Sequence, residues 1–153
     1  MRRISKGDVY NYSLNGKSYL VQVIDINAIF GHVIRVVDQI NPRDISNDTT
    51  FDRFCILFPI NSVRRSDGFQ YIGSFPVPEK YVGDVNLRYP RVRFDDNSIA
   101  GWTLVETGVE RMVKVLDDEQ LNYVYAFAVN IVSLNELIAI GWNGKDYFPD
   151  LHN

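Results

Sequence analysis

The stretch that decides the fold lies near the start of the chain: Val9-Tyr10-Asn11-Tyr12-Ser13-Leu14, then Asn15-Gly16, then Ser18 to Ile26. Asn-Gly between two β-type runs favours the positive backbone angles of a type I′ turn, whose twist matches that of the strands it joins. The second run is apolar on both of its alternating sets, Tyr19, Val21 and Val23 on one and Leu20, Ile24 and Ile26 on the other. A strand apolar on both faces is a central strand, covered on both sides. The hairpin 9–26 therefore predicts a sheet with layers above and below it.

Outward from the hairpin, Phe30 to Val37 is rich in β-branched residues and reads as a third strand after a turn at Asn27. Asn41 to Thr50 crowds Asn, Asp, Pro, Ser and Thr together and is a loop by turn chemistry. Phe54 to Phe58 is a short buried strand ended by Pro59, and Ser66-Asp67-Gly68 turns into a strand over Phe69 to Gly73. Residues 75–95 hold Pro76, Pro78, Gly83 and Pro90, which predicts an irregular segment. Asp95-Asp96-Asn97 is a polar turn. Trp102 to Glu106 and Val109 to Leu116 then form a second hairpin about Thr107-Gly108.

The last third changes period. Ser133-Leu134-Asn135-Glu136 has the form of a capping box, Leu134, Leu137 and Ile138 share one helical face, and Gly141 supplies a left-handed stop. This predicts a helix over about 134–140. Leu121 to Val132 fits either period: Leu121, Val124, Tyr125 and Ala128 suit a helix, whereas Tyr123, Tyr125, Phe127 and Val129 suit a strand. The expected architecture is α+β: one domain over 1–153, a strongly curved and mostly antiparallel sheet forming a partial barrel, and a short C-terminal helix packed against it.

Composition is that of an ordinary globular protein, 46% hydrophobic and 23% charged over 153 residues, with 9 Tyr, 9 Phe and 2 Trp. A net charge of -3 builds little field, and general nucleic-acid binding needs clustered Lys and Arg. The basic groupings, Arg2-Arg3, Arg64-Arg65 and the alternating Arg88, Arg91 and Arg93, read as solvated faces. Met1 to Lys6 is basic but no apolar run follows it, and no apolar stretch approaches the ~18 residues of a membrane span. The expectation is a cytoplasmic protein that uses no membrane.

Catalytic chemistry finds little support in the residues. The histidines are His32, at a strand start, and the penultimate His152, and with Cys55 they match no zinc-ligand spacing. Cys55 sits among Phe and Ile, where a thiol behaves as a small hydrophobe rather than a nucleophile. Asp95-Asp96 and Asp117-Asp118-Glu119 could hold a cation, but both lie at turns, where Asp bonds the local backbone. No phosphate-cradling glycine pattern occurs. The chain thus reads as a binding protein, with no enzyme activity, cofactor or metal. Asp117, Asp118 and Glu119 with Tyr123 and Tyr125, and Asp95 and Asp96, are the candidate contacts to a basic partner, acidic groups for steering beside aromatic anchors.

The opening Lys6-Gly7-Asp8-Val9-Tyr10, the hairpin and Tyr19-Leu20-Val21-Gln22-Val23 resemble the start of the immunity-protein-26 family of bacterial polymorphic toxin systems. In the same order, Phe54 to Phe58 looks like that family's buried middle strand. Phe69-Gln70-Tyr71-Ile72-Gly73 with Pro76-Val77-Pro78 resembles its glycine-bearing strand, and Leu134 to Trp142 resembles its closing helix. The resemblance implies a cytoplasmic inhibitor, monomeric before binding, that occludes a cognate toxin domain stoichiometrically. The alternative is a small β-barrel module that binds single-stranded nucleic acid or peptide through exposed aromatics.

Overall fold

The computed structural model describes residues 3–63, 65–83 and 85–146. Arg2, Arg64 and His152 lie outside them. Strand β1 (Asp8–Leu14) and strand β2 (Lys17–Asn27) form the expected hairpin, with Asn15 at φ 50° and Gly16 at φ 79°. Both angles are positive, which defines the type I′ turn. Leu20, Val21, Gln22, Val23 and Ile24 of β2 are all fully buried, so it is covered on both faces.

Strand β3 (Gly31–Asp38) pairs antiparallel with β2, and β4 (Asp52–Leu57) with β3. Strand β5 (Phe69–Ser74) returns to the free side of β1. A second group, β6 (Leu87–Val92), β7 (Ile99–Glu106) and β8 (Val109–Val113), is an antiparallel meander. The second hairpin turns where expected, and the positive φ of Thr107 (48°) and Gly108 (79°) gives that turn type I′ geometry. Strand β9 (Val124–Ala128) joins the two groups by lying between β4 and β6, parallel to both. Among the described residues the result is one open sheet of nine strands in the order β5-β1-β2-β3-β4-β9-β6-β7-β8. Helix α1 (Ile131–Ala139) follows directly.

Three expectations need correction. The segment 75–95 contains β6, which runs through Pro90. The proline is tolerated because β9 pairs only with Leu87 and Arg88, leaving β6 without a neighbour on that side at residue 90. The helix starts three residues earlier than 134: Asn130 is the cap, its Oδ1 accepting the Ser133 N–H at 2.9 Å, so Ser133 lies inside the first turn. The expected strand Val109 to Leu116 stops at Val113. Gly141 behaves as predicted, at φ 68°, with its own N–H on Ile138 O and that of Trp142 on Leu137 O. That pair of bonds is a Schellman stop.

The ambiguous segment 121–132 contains neither one long helix nor one long strand. A 3-10 turn (Gln120–Asn122), β9 and the first turn of α1 share it.

The sheet separates two unlike layers. On one face, Tyr10, Tyr12, Phe58, Phe69, Tyr125 and Trp142 pack with Leu134, Leu137 and Ile138 of α1 in an aromatic-rich core. Tyr12 and Phe69 stack at 4.2 Å, and the Tyr12 hydroxyl donates to Asn135 of the helix. The opposite face is covered by irregular chain. Ile45 and Phe75 pack on Val9, Leu20 and Val37, while Val77, Tyr81 and Val85 pack on Ile24, Val33, Leu57 and Leu87. Among the described residues, no helix is long and apolar enough to cross a membrane.

Candidate functional site

Between the two clusters on the loop-covered face stands a polar node. Arg35 of β3 is fully buried, flanked along its strand by Val33-Ile34 and Val36-Val37. Its Nε donates to Asp52 Oδ1 at 2.7 Å. Its Nη atoms donate to Gln22 Oε1 (2.9 Å), Ile45 O (2.6 Å) and Asp48 O (2.7 Å). Burying a guanidinium costs least where its donors are matched this fully. Gln22 carries the network on, donating to Phe75 O at 3.0 Å, so both covering loops are tied to the sheet through β2 and β3. Asp52 in turn accepts from the Tyr81 hydroxyl at 2.9 Å and lies 3.8 Å from Lys80 Nζ.

Cys55 joins this node. Its thiol is 3.6 Å from the Tyr81 hydroxyl, on the side of β4 facing away from the aromatic core. The expectation of wholly apolar neighbours is thus corrected, because alternation along β4 sends Phe54 and Ile56 one way and Cys55 the other. Burial pushes the thiol up to about 11, and also raises the Tyr81 phenol well above its ordinary value. A thiol held neutral in this way is a poor nucleophile.

A cleft of about 690 Å³ opens beside the node. Strands β4, β9 and β6 all run in the same direction, and β9 is short. At its N-terminal end the chain leaves the sheet as the turn Gln120–Asn122, so a gap opens between Asp52–Cys55 and Val85–Asn86. Asn143, Gly144 and Lys145 close its end. Gly144 is needed there: its φ is +81°, and a Cβ would come within 3.1 Å of Phe54 Cβ.

A second buried guanidinium holds that closing loop. Arg88 donates to Tyr123 O (3.2 Å), Gly144 O (3.3 Å) and Lys145 O (2.8 Å). It lies against the rings of Trp102 (4.8 Å) and Tyr125 (4.5 Å). Arg88 is fully buried, which overturns its reading as part of a solvated basic face; Arg91 and Arg93 are exposed. Burial lowers its pKa, opposed by the Tyr125 hydroxyl and Asp146.

The predicted contact residues are distributed unevenly. Tyr125 is fully buried in the aromatic core between Arg88, Trp102 and Trp142, so it offers no surface to a partner. Tyr123 is half-buried on the cleft wall, its hydroxyl donating to Glu106 at 2.6 Å; that bond and burial push the phenol up to about 12. Glu106 also takes Arg111 of β8, and both partners hold its carboxyl below the usual range.

Asp117, Asp118 and Glu119 are exposed. Asp117 and Gln120 exchange side-chain-to-backbone bonds at 2.8 and 3.0 Å, and the charges of Asp117 and Glu119 are felt by Arg111 and Tyr123 respectively. Asp95 and Asp96 are exposed in the turn before β7, with Asp96 bonded to Ser98. They stand at the opposite end of that strand from Glu106. The structure therefore brings 117–119 to Tyr123 but leaves 95–96 apart.

Beside the first acidic group lies the sheet edge β8, with no strand on its outer side among the described residues. Val109 (65% exposed) and Met112 (66%) project from it, and Val115 (80%) follows it. Exposed apolar side chains on an unpaired edge are what strand addition by another chain uses. Neither the node nor this edge was named from the sequence. Arg35 left one signal, a lone charge inside an apolar strand; Lys80, Tyr81 and Asn86 left none. No family model matches the chain, and neither the curated proteins nor the solved structures contain a match.

Proposed function

We propose that this protein is an immunity protein that binds a cognate bacterial toxin domain in the cytoplasm and occludes it stoichiometrically, without catalysis. The observation that carries the reading is the β8 edge: a strand paired only with β7 among the described residues, with exposed Val109 and Met112, followed by exposed Val115 and the acidic run Asp117-Asp118-Glu119. Backbone groups of such an edge pair with a partner strand, apolar side chains supply buried contact, and the carboxylates steer a basic surface. The ordered resemblance from Lys6 to Trp142 supports the same reading.

A strongly curved, partial-barrel sheet belongs to the proposal as well. What supports it is the approach of Phe58, just past β4, to Phe69 at the start of β5, with ring centroids 5.8 Å apart. Four strand spacings separate β5 from β4, about 19 Å in a flat sheet.

Co-expression with the toxin domain encoded beside it tests the function. The expected result is restored growth and a 1:1 complex that survives gel filtration, with M112D/V115D weakening the complex at least about tenfold. Absence of both rescue and complex overturns the reading. Salt-sensitive binding to single-stranded nucleic acid in their place would establish the alternative module.

A further inference from the structure

We infer that β8 receives its partner as an extended segment of alternating basic and apolar residues, paired antiparallel to it. The inference rests on the reading of β8 as the partner's site, and adds the partner's chemistry and register.

Backbone geometry chooses an extended segment. The turn Thr107-Gly108 has two residues, so Glu106 and Val109 beside it exchange hydrogen bonds, and the ladder continues through Leu104–Arg111 and Trp102–Val113. Val109, Arg111 and Val113 therefore turn their N–H and C=O groups to β7. Glu110 and Met112 lie between them and present theirs outward, where no strand stands among the described residues. An extended chain matches those groups bond for bond, whereas the backbone of a helix is already paired within itself. Antiparallel pairing is the more stable arrangement per residue.

Charge chooses the basic residues. From Glu106 to Glu119 stand five acids, Glu106, Glu110, Asp117, Asp118 and Glu119, and two bases, Arg111 and Lys114. That excess of three equals the net charge of the whole chain, -3, so the rest of the sequence is balanced. Glu106 is taken by Arg111, but Glu110, Asp118 and Glu119 make no ion pair among the described residues. Arg91 and Arg93 stand on the far side of β7, beside Gly101 and Ser98 at the end away from Glu106, with Asp95 and Asp96 near them. Lys145 lies beyond Tyr123 in the cleft, next to Asp146. A concentrated acidic field of this kind selects a basic partner.

Alternation sets the order. Glu110 and Met112 share one face of β8, beside Val105 and Thr103, while Val109, Arg111 and Val113 share the other, beside Glu106, Leu104 and Trp102. Partner residues opposite Glu110 and Met112 meet a carboxylate and an exposed thioether chain, which suits Lys or Arg with its apolar stem. The residues between them meet Val109 and Val113, with the Arg111 charge already answered by Glu106, which suits apolar side chains.

Amide NMR of the full chain with a synthetic peptide of alternating Lys and Val tests this. The expected result is a Kd of about 1 mM or tighter, with the amides of Glu110 and Met112 shifted most. A Glu-Val peptide should bind at least about tenfold more weakly. In the antiparallel register the Lys backbone faces β8 and the Val backbone faces away. Backbone N-methylation at every Lys should therefore weaken binding at least about tenfold, and at every Val should leave it unchanged.

M112P removes one outward N–H and spares the bonds to β7, so it should melt near the wild type and bind about tenfold more weakly. If M112P unfolds, the two methylated peptides decide the matter on the wild-type chain. No shift along β8 at about 10 mM Lys-Val peptide overturns the inference. So does equal binding of the Glu-Val or Lys-methylated peptide, or a folded M112P that binds like the wild type. No toxin enters these measurements: failed rescue with peptide binding intact removes only the immunity reading, and a toxin complex without peptide binding removes only the strand pairing.

Discussion

Replacing Arg35 by Met keeps an apolar stem of similar reach but removes all of the guanidinium's donors from the node. Asp52 loses its 2.7 Å ion pair while remaining mostly buried, with a side chain only 12% exposed. Gln22 Oε1 and the carbonyls of Ile45 and Asp48 lose their partners at the same time. Breaking a buried pair from one side costs about 3–5 kcal/mol, because the remaining charge stays out of water. A domain of this size has about 5–15 kcal/mol in all, so R35M should forfeit about a fifth of it or more. At about 2–4 °C per kcal/mol, the melting temperature should fall by roughly 6–20 °C.

Urea unfolding followed by tyrosine and tryptophan fluorescence measures the loss. R35M/D52L should cost no more than R35M alone, because it removes the stranded carboxylate along with its partner. A loss below about 1 kcal/mol for R35M would mean that the pair behaves like a surface ion pair. The account of the node as the tie between sheet and loops would then be refuted.

Three further outcomes follow from single contacts. Gly144→Ala must place a Cβ 3.1 Å from Phe54 Cβ at a φ of +81°, and should destabilise by about 1–3 kcal/mol in urea titration. Asn130→Ala removes the 2.9 Å cap on Ser133 N–H and should cost about 1 kcal/mol, whereas Asn130→Asp should keep most of it. The Cys55 thiol, raised by burial from 9.0 to about 11, keeps its proton longer in the folded chain than in the unfolded one. Its contribution to stability is therefore whole below pH 9.0 and lost as pH rises through about 11. The urea midpoint of the wild type should fall across that window more steeply than that of C55A.

What could be read in advance was local chemistry. Asn15-Gly16 specifies its turn because both residues must take positive φ, a requirement few dipeptides meet, whereas Thr107-Gly108 marked only the place of the second hairpin: a β-branched Thr does not favour the positive φ it takes there. The two-sided apolar pattern of β2 specified a central strand, and Gly141 the end of the helix, by the same short-range logic.

Tertiary structure decided everything that depends on a distant partner. A five-residue strand such as β9 carries too short a period to declare itself, and only the space between β4 and β6 makes it a parallel strand. That insertion buries Tyr125 and opens the cleft beneath it. Arg88 looks like Arg91 and Arg93 in sequence; it is buried because carbonyls 56 and 57 residues away accept its protons. The sequence by itself determined where the chain turns and which strands are central. The folded chain decided which charges are buried and where a cleft remains, because both depend on groups that only folding brings together.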